Sequence, residues 1–196
     1  SGIELGPVGF MPEDPFILSE ALDEFDQQLI GGVVFRPFHD PDKWDFVLDG
    51  AIRTCKSLMA HKAKHLVLID SISPKRAPTA GRCDEAEQMS SAEWKVFKDR
   101  ITTVAKIGTE EYGLTVGIHA HAAGFIDFEP EIYRLLEEVD ESYLKICFDT
   151  GHHSYAGFDP ISFIRRCIKR ISYMHFKDID PIVKEDVVSK RTDFYS

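Results

Sequence analysis

The chain predicts an α/β fold, a (β/α)8 TIM barrel that is incomplete, with about six β/α units present. Three observations predict it. Short apolar runs starting near residues 2, 30, 65, 114, 144 and 171 alternate with helical stripes, and strict β–α alternation implies a parallel sheet with right-handed crossovers. Those runs end in polar residues, namely Glu4, Arg36, Asp70, His119, Asp149 and His175, which is where a barrel gathers its chemistry. No glycine-rich phosphate-binding turn follows the first run, which weighs against the doubly wound open sheet.

Taken in order, Gly2-Ile3-Glu4-Leu5 is a short strand closed by Gly6-Pro7, and Leu18, Leu22, Phe25 and Leu29 then repeat at helical spacing. The run 30–35 is the second strand, and Trp44, Val47, Leu48, Ala51, Ile52, Cys55 and Met59 mark a helix within 41–60. His65–Ile69 is the third strand and ends in Asp70. Residues 70–90 read as a long polar loop, of a length that is often functional. Ser90 and Glu93 form a capping box for a helix that carries Trp94, Phe97, Ile101 and Val104 and stops near Gly113. The strand 114–118 follows, then a helix from Pro130 to about Val139. The strand 144–148 leads through a loop to Asp159-Pro160, an N-cap and first helical residue, with Ile161, Ile164 and Ile168 expected on the buried face. The last strand is 171–174. Residues 179–196 are polar and lack clear periodicity.

A whole barrel takes about 250 residues, and this chain has 196. Residues 1–196 therefore read as one barrel domain that is a fragment, with the first and last units missing. An open barrel exposes two sheet edges, so self-association into a homo-oligomer is expected.

The net charge of −10 argues against a nucleic-acid partner, because phosphate binding relies on clustered Lys and Arg. No apolar stretch is long enough to span a membrane, and the scattered Cys55, Cys83, Cys147 and Cys167 show no CxxC spacing, as in a reduced compartment. A cytoplasmic location is the expectation.

The three last strands carry the site. Leu144–Phe148 runs into Asp149-Thr150-Gly151-His152-His153, Leu114–Ile118 into His119-Ala120-His121, and Ile171–Met174 into His175-Phe176-Lys177. Neighbouring parallel strands bring their ends within about 5 Å of each other. His119, Asp149 and His175 are thus a candidate ligand set for a divalent metal (Mn, Co or Zn), since imidazole and carboxylate suit such ions. His121 and His152 lie just beyond the ligands as candidate catalytic or substrate-contacting groups. Lys177 shares the His175 face by strand alternation and can pair with a substrate oxygen. His61 and His65 belong to the opposite end of the scaffold, His39 stands near the rim without support, and His153 reads as a neighbour of His152.

The segments GIHAHAAG (117–124), CFDTGHHSYAG (147–157) and RISYMHFKD (170–178), with GIELG (2–6), resemble the xylose-isomerase-like barrel superfamily of sugar isomerases, epimerases and dehydratases, and within it the inosose dehydratase group. The resemblance implies a metal held by residues of the fifth to eighth strands. Asp149 and His175 match the sixth- and seventh-strand ligands, His152 matches a substrate-contacting histidine, and Lys177 matches a lysine near the sugar ring. The eighth-strand glutamate is expected beyond Ser196. His119 stands where the epimerases carry a glutamate that also moves protons. An imidazole held by a metal has its basic nitrogen occupied, so the expected function tips to a lyase. It would dehydrate a cyclic keto-sugar such as 2-keto-myo-inositol by α-proton abstraction and loss of water. His152, His121 and Lys177 are its catalytic candidates, and Glu4, Lys177 and His152 bind the small-molecule polyol. A sugar epimerase or isomerase, and a non-catalytic carbohydrate-binding barrel, are the alternatives.

Overall fold

A computed structural model describes residues 1–192. The elements run β1 (Gly2–Leu5), α1 (Pro15–Glu24), β2 (Gln28–Arg36), α2 (Trp44–Ala60), β3 (His65–Asp70), α3 (Ser91–Lys106), β4 (Thr115–Ile118), α4 (Glu129–Glu138), β5 (Lys145–Asp149), α5 (Thr150–Tyr155), α6 (Pro160–Cys167), β6 (Ile171–His175) and α7 (Pro181–Ser189). The strands form one parallel sheet in the order β1-β2-β3-β4-β5-β6. Six consecutive parallel strands separated by helices are the wall of an incomplete TIM barrel, as expected.

Strand alternation divides the sheet into two faces. On one face, Leu5, Val34, Leu66, Leu68, Val116, Ile118, Ile146 and Phe148 pack beneath the helices with Leu18, Val47, Phe97, Ile101, Leu135 and Phe163. Full burial of one such side chain is worth about 1.5–3 kcal/mol, so this layer supplies most of the cohesion. The opposite face holds a smaller cluster of Val33, Val67, Ile69 and Cys147 with Phe35 and Tyr173. On that face, His119 continues the row of Gly117, Asp149 that of Cys147, and His175 that of Tyr173. Arg36 and Asp70 also end strands, but each lies one residue beyond an inner-face position and turns away from this row. Arg36 stacks on Phe46 of α2, with its guanidinium carbon 4.5 Å from the ring centre.

Local sequence explains where the helices begin. Asp14-Pro15, Asp159-Pro160 and Asp180-Pro181 open α1, α6 and α7, and in each the aspartate side chain accepts from two backbone N–H groups of the first turn. Ser90 and Glu93 form the expected capping box of α3. After α3 a single π turn over Ile107–Glu111 leads to Gly113, whose φ of +62° suits glycine.

Four expectations are corrected. The first helix ends at Glu24; Phe25 is 69% exposed and Leu29 belongs to β2, so the stripe read through Leu29 crosses a turn. On α6, Ile161 and Ile168 are exposed, and Phe163 and Cys167 form the buried face. The segment after Asp149 is the short helix α5, not a loop. Residues read as aperiodic include α7, and the last of them, 193–196, lie outside the described residues. The loop 70–90 contains two 3-10 turns, Ala77–Thr79 and Cys83–Glu85, and is anchored from within. Arg76, 1% exposed, forms a two-pronged ion pair with Glu131 at 2.7 and 3.1 Å and lies over the rings of Phe125 and Phe128.

Candidate metal centre

The sheet register explains how three strands deliver one cluster. Asp149 of β5 pairs directly with His175 of β6. On the other side, Gly117 pairs with Lys145 and Ile118 with Ile146, so His119 stands one step further along beside Cys147. One donor atom from each of His119, Asp149 and His175 falls within 4.8 Å of the others. Zinc bonds to nitrogen or oxygen are about 2.0–2.2 Å, so two donors on one ion lie at most roughly 4.4 Å apart. Small side-chain adjustments would bring the three onto a single ion.

Asp149 is the centre of this arrangement. Its Oδ2 faces His119 Nε2 at 3.2 Å, His175 Nδ1 at 3.6 Å and Lys177 Nζ at 2.5 Å. Its Oδ1 caps α5 by accepting from the backbone N–H of His152 at 2.9 Å. Burial pushes the Asp149 carboxyl up, but His119, His175 and Lys177 outweigh it and hold the group far below the usual carboxylate range. His175 is raised to about 11, chiefly by Asp149, with Cys147 and Glu4 adding to the effect. Protonated His175 and Lys177 thus press two positive charges on the carboxylate, the charge that a divalent ion would bring. Buried His119 is shifted down, mainly by burial, and its Nδ1 has no hydrogen-bond partner. The donor set, its spacing and these stand-in cations fit a divalent transition ion. Binding one requires His175 to lose its proton.

Two further histidines line the cluster. The ring centres of His121 and His152 are 4.1 Å apart, and that of His119 is 5.9 and 5.3 Å from them. Burial lowers His121 to about 4 and His152 to about 2, with nearby imidazoles contributing, so both are neutral at pH 7. The peptide groups of Ala122 assign their tautomers. His121 Nδ1 is 2.9 Å from the Ala122 carbonyl oxygen, which can only accept, so Nδ1 carries the hydrogen and Nε2 the lone pair. The Ala122 N–H donates to His152 Nδ1 at 3.2 Å, so on that ring Nε2 carries the hydrogen. One residue gives two neighbouring imidazoles opposite polarity.

Lys177 lies beyond the end of β6, yet reaches Asp149 as strand alternation suggested. Its backbone is clamped by Thr150, whose hydroxyl donates to the Lys177 carbonyl at 2.6 Å and accepts from its N–H at 2.9 Å. A Cβ on Gly151 would meet the Lys177 Cβ at 2.7 Å, so glycine permits this approach. Glu4, expected at the substrate, accepts a hydrogen bond from His175 Nε2 at 3.1 Å. The sequence reading missed Thr150 and Ala122. Thr150 lies inside the DTGH segment and was within reach; Ala122 acts through its peptide and leaves no side-chain signal.

The remaining histidines are held elsewhere. His39 is bound to buried Asp70, Nδ1 to Oδ1 at 2.8 Å, while Phe125 N–H donates to the other oxygen of Asp70 at 2.9 Å. His153 bonds Glu129 at 3.1 Å within the core, and His65 stacks on Tyr173.

A parallel strand–helix wall with imidazoles and a carboxylate gathered at the strand ends defines the class: a barrel with a metal-type site on its rim. The chain belongs to the xylose isomerase-like TIM barrel family, whose model matches residues 3–193. An inosose dehydratase of Geobacillus kaustophilus (strain HTA426) is 33% identical over 121 residues, covering 62% of this chain and 38% of that protein. The chain thus spans well under two thirds of that relative's length. Among solved structures, a probable 3-DHS dehydratase, AsbF of Bacillus anthracis, superposes with a TM-score of 0.71 at 19% identity, over 95% of this chain and 66% of that one. The IolI protein with a bound zinc atom superposes at 0.66 and 15% identity, over 91% and 63%. Both are likenesses of fold. No helix among the described residues is long and apolar enough to cross a membrane.

Proposed function

We propose that the chain forms the site of a metal-dependent lyase that dehydrates a cyclic keto-sugar such as 2-keto-myo-inositol. The observation that carries this reading is the pairing of the three-residue donor cluster with two neutral, oppositely polarised imidazoles. His119, Asp149 and His175 would hold a divalent ion, Mn, Co or Zn. Bound there, the ion would act as a Lewis acid on the ketone oxygen and make the neighbouring C–H acidic.

The protein's own groups handle the protons. His121 Nε2 bears a lone pair and serves as the base for the α-proton. His152 Nε2 bears a hydrogen and donates it to the departing hydroxyl. With ring centres 4.1 Å apart, the proton collected by His121 can return to His152, so hydrogen and hydroxyl leave together as water and both rings end as they began. Lys177 pairs with a sugar oxygen. The two carboxylates of the cluster, Asp149 and Glu4, are both engaged by imidazoles. That leaves the proton chemistry to His121 and His152 and supports elimination over a two-carboxylate epimerisation. The dehydratase name of the Geobacillus relative points the same way.

The test is carbon NMR of 2-keto-myo-inositol incubated with the protein and Mn2+ or Co2+ in D2O. Loss of a hydroxyl-bearing carbon with appearance of a diketone is expected. Deuterium incorporation with inversion and no loss of water would transfer the assignment to an epimerase. An unchanged spectrum would leave a carbohydrate-binding barrel.

A further inference from the structure

Building on the metal reading above, we infer that Glu4 is a positioning residue for the metal centre. It fixes the tautomer and orientation of His175, so that Nδ1 is the nitrogen presented to the ion. The inference starts from an asymmetry between the two ring nitrogens. His175 Nε2 lies 3.1 Å from Glu4 Oε2, and Nδ1 lies 3.6 Å from Asp149 Oδ2. An imidazole that gives up one proton to bind metal keeps the other on the nitrogen with the better acceptor. A carboxylate at hydrogen-bonding distance from Nε2 keeps it there.

Tyr173 is two residues before His175 on the same face of β6, and its ring centre, 5.6 Å from that of His175, flanks the imidazole that Glu4 contacts. Glu4 and His175 side chains are each 21% exposed, so water competes only partly for the bond. An outer carboxylate of this kind raises the basicity of a ligating imidazole and fixes its ring, and losing one typically costs 10–100-fold in metal affinity. The arrangement also separates this role from a direct sugar contact. A carboxylate engaged by His175 acts on the ion through the ring.

The experiment is a Co2+ titration of the wild-type protein, Glu4→Ala and Glu4→Gln, followed by calorimetry and by the visible bands of the bound ion. Long-range 15N–1H NMR of the zinc-loaded wild type assigns the His175 proton. Glu4→Ala is expected to bind Co2+ about 10–100-fold more weakly. Glu4→Gln, which keeps an acceptor for Nε2–H, should stay within a few-fold of wild type, and the NMR proton should reside on Nε2. Unchanged Co2+ affinity in Glu4→Ala alongside a raised KM, or a proton on Nδ1, overturns the inference and makes Glu4 a substrate contact. If wild type takes up no Co2+, the metal reading itself falls. Should Glu4→Ala not fold, the NMR assignment of the His175 proton on wild type still decides.

Discussion

Glu4 and His175 stand on β1 and β6, the two edges of the sheet, and their side chains meet at 3.1 Å. The edge strands share no ladder hydrogen bonds. The contact therefore measures curvature: six twisted strands bend far enough for the inner-face side chains of the two edges to touch. The rim residues of β4, β5 and β6 face the same interior, which is how residues far apart in sequence come to share one carboxylate.

Lys177 occupies the place that a cation would take on Asp149 Oδ2. Replacing it with methionine should raise Co2+ affinity several-fold, measured by calorimetry, and, on the proposed mechanism, should lower turnover of the keto-sugar by removing the ammonium that pairs with its oxygen. Unchanged affinity would mean that the ammonium does not compete with the ion.

His121→Gln and His152→Gln should each reduce turnover by about 10²–10⁴, the usual contribution of a positioned acid or base. Co2+ affinity should remain within a few-fold of wild type. Retained turnover in His121→Gln would remove the base from the mechanism.

Breaking the Arg76–Glu131 pair should destabilise the protein strongly, because it strands a charge that the fold has buried. Arg76→Met is expected to cost about 3–5 kcal/mol in denaturant unfolding. The double variant Arg76→Met, Glu131→Gln should recover much of that loss. A cost near zero for the single variant would show that the 70–90 loop is held by its apolar contacts alone.

Asp127 supplies a pH signature. Burial raises its carboxyl to about 7, against the pull of the Ala123 N–H and Arg76. In the unfolded chain the group titrates near 3.9. Between those values the folded protein holds the proton and the unfolded chain does not. This contribution is therefore fully present below about pH 4 and is lost as pH rises to about 7. Asp127→Asn should remove that dependence. Its melting temperature relative to wild type should climb between about pH 4 and 7 and stay level above. A difference that does not vary with pH would contradict the assignment.

The rim cluster was legible because a two-residue period puts Cys147 and Asp149, or Tyr173 and His175, on one face, and a strand that ends in such a residue aims it at the rim. Helix α7 was not legible by periodicity, since Ile182 and Val183 are 77% and 57% exposed and draw no stripe against a core. Its Asp180-Pro181 start carries the same signal that located α6, and the sequence reading passed over it. The α6 face was misread because Ile161 and Ile168 match the helical spacing as well as Phe163 and Cys167 do, and only packing separates them. Arg76 was invisible, since nothing local distinguishes a buried arginine from a solvated one until Glu131 arrives from another part of the chain.

The Thr150 hydroxyl holds both backbone polar groups of Lys177, and this makes the residue a pivot. With its main chain tied at both polar groups, reorientation of the ammonium is left to the four methylenes. Rotamer exchange of a half-exposed side chain takes picoseconds to nanoseconds. Release of the ammonium from Asp149 then needs a change of rotamer and no opening of the loop, so the carboxylate can be handed to another partner without any movement of the main chain.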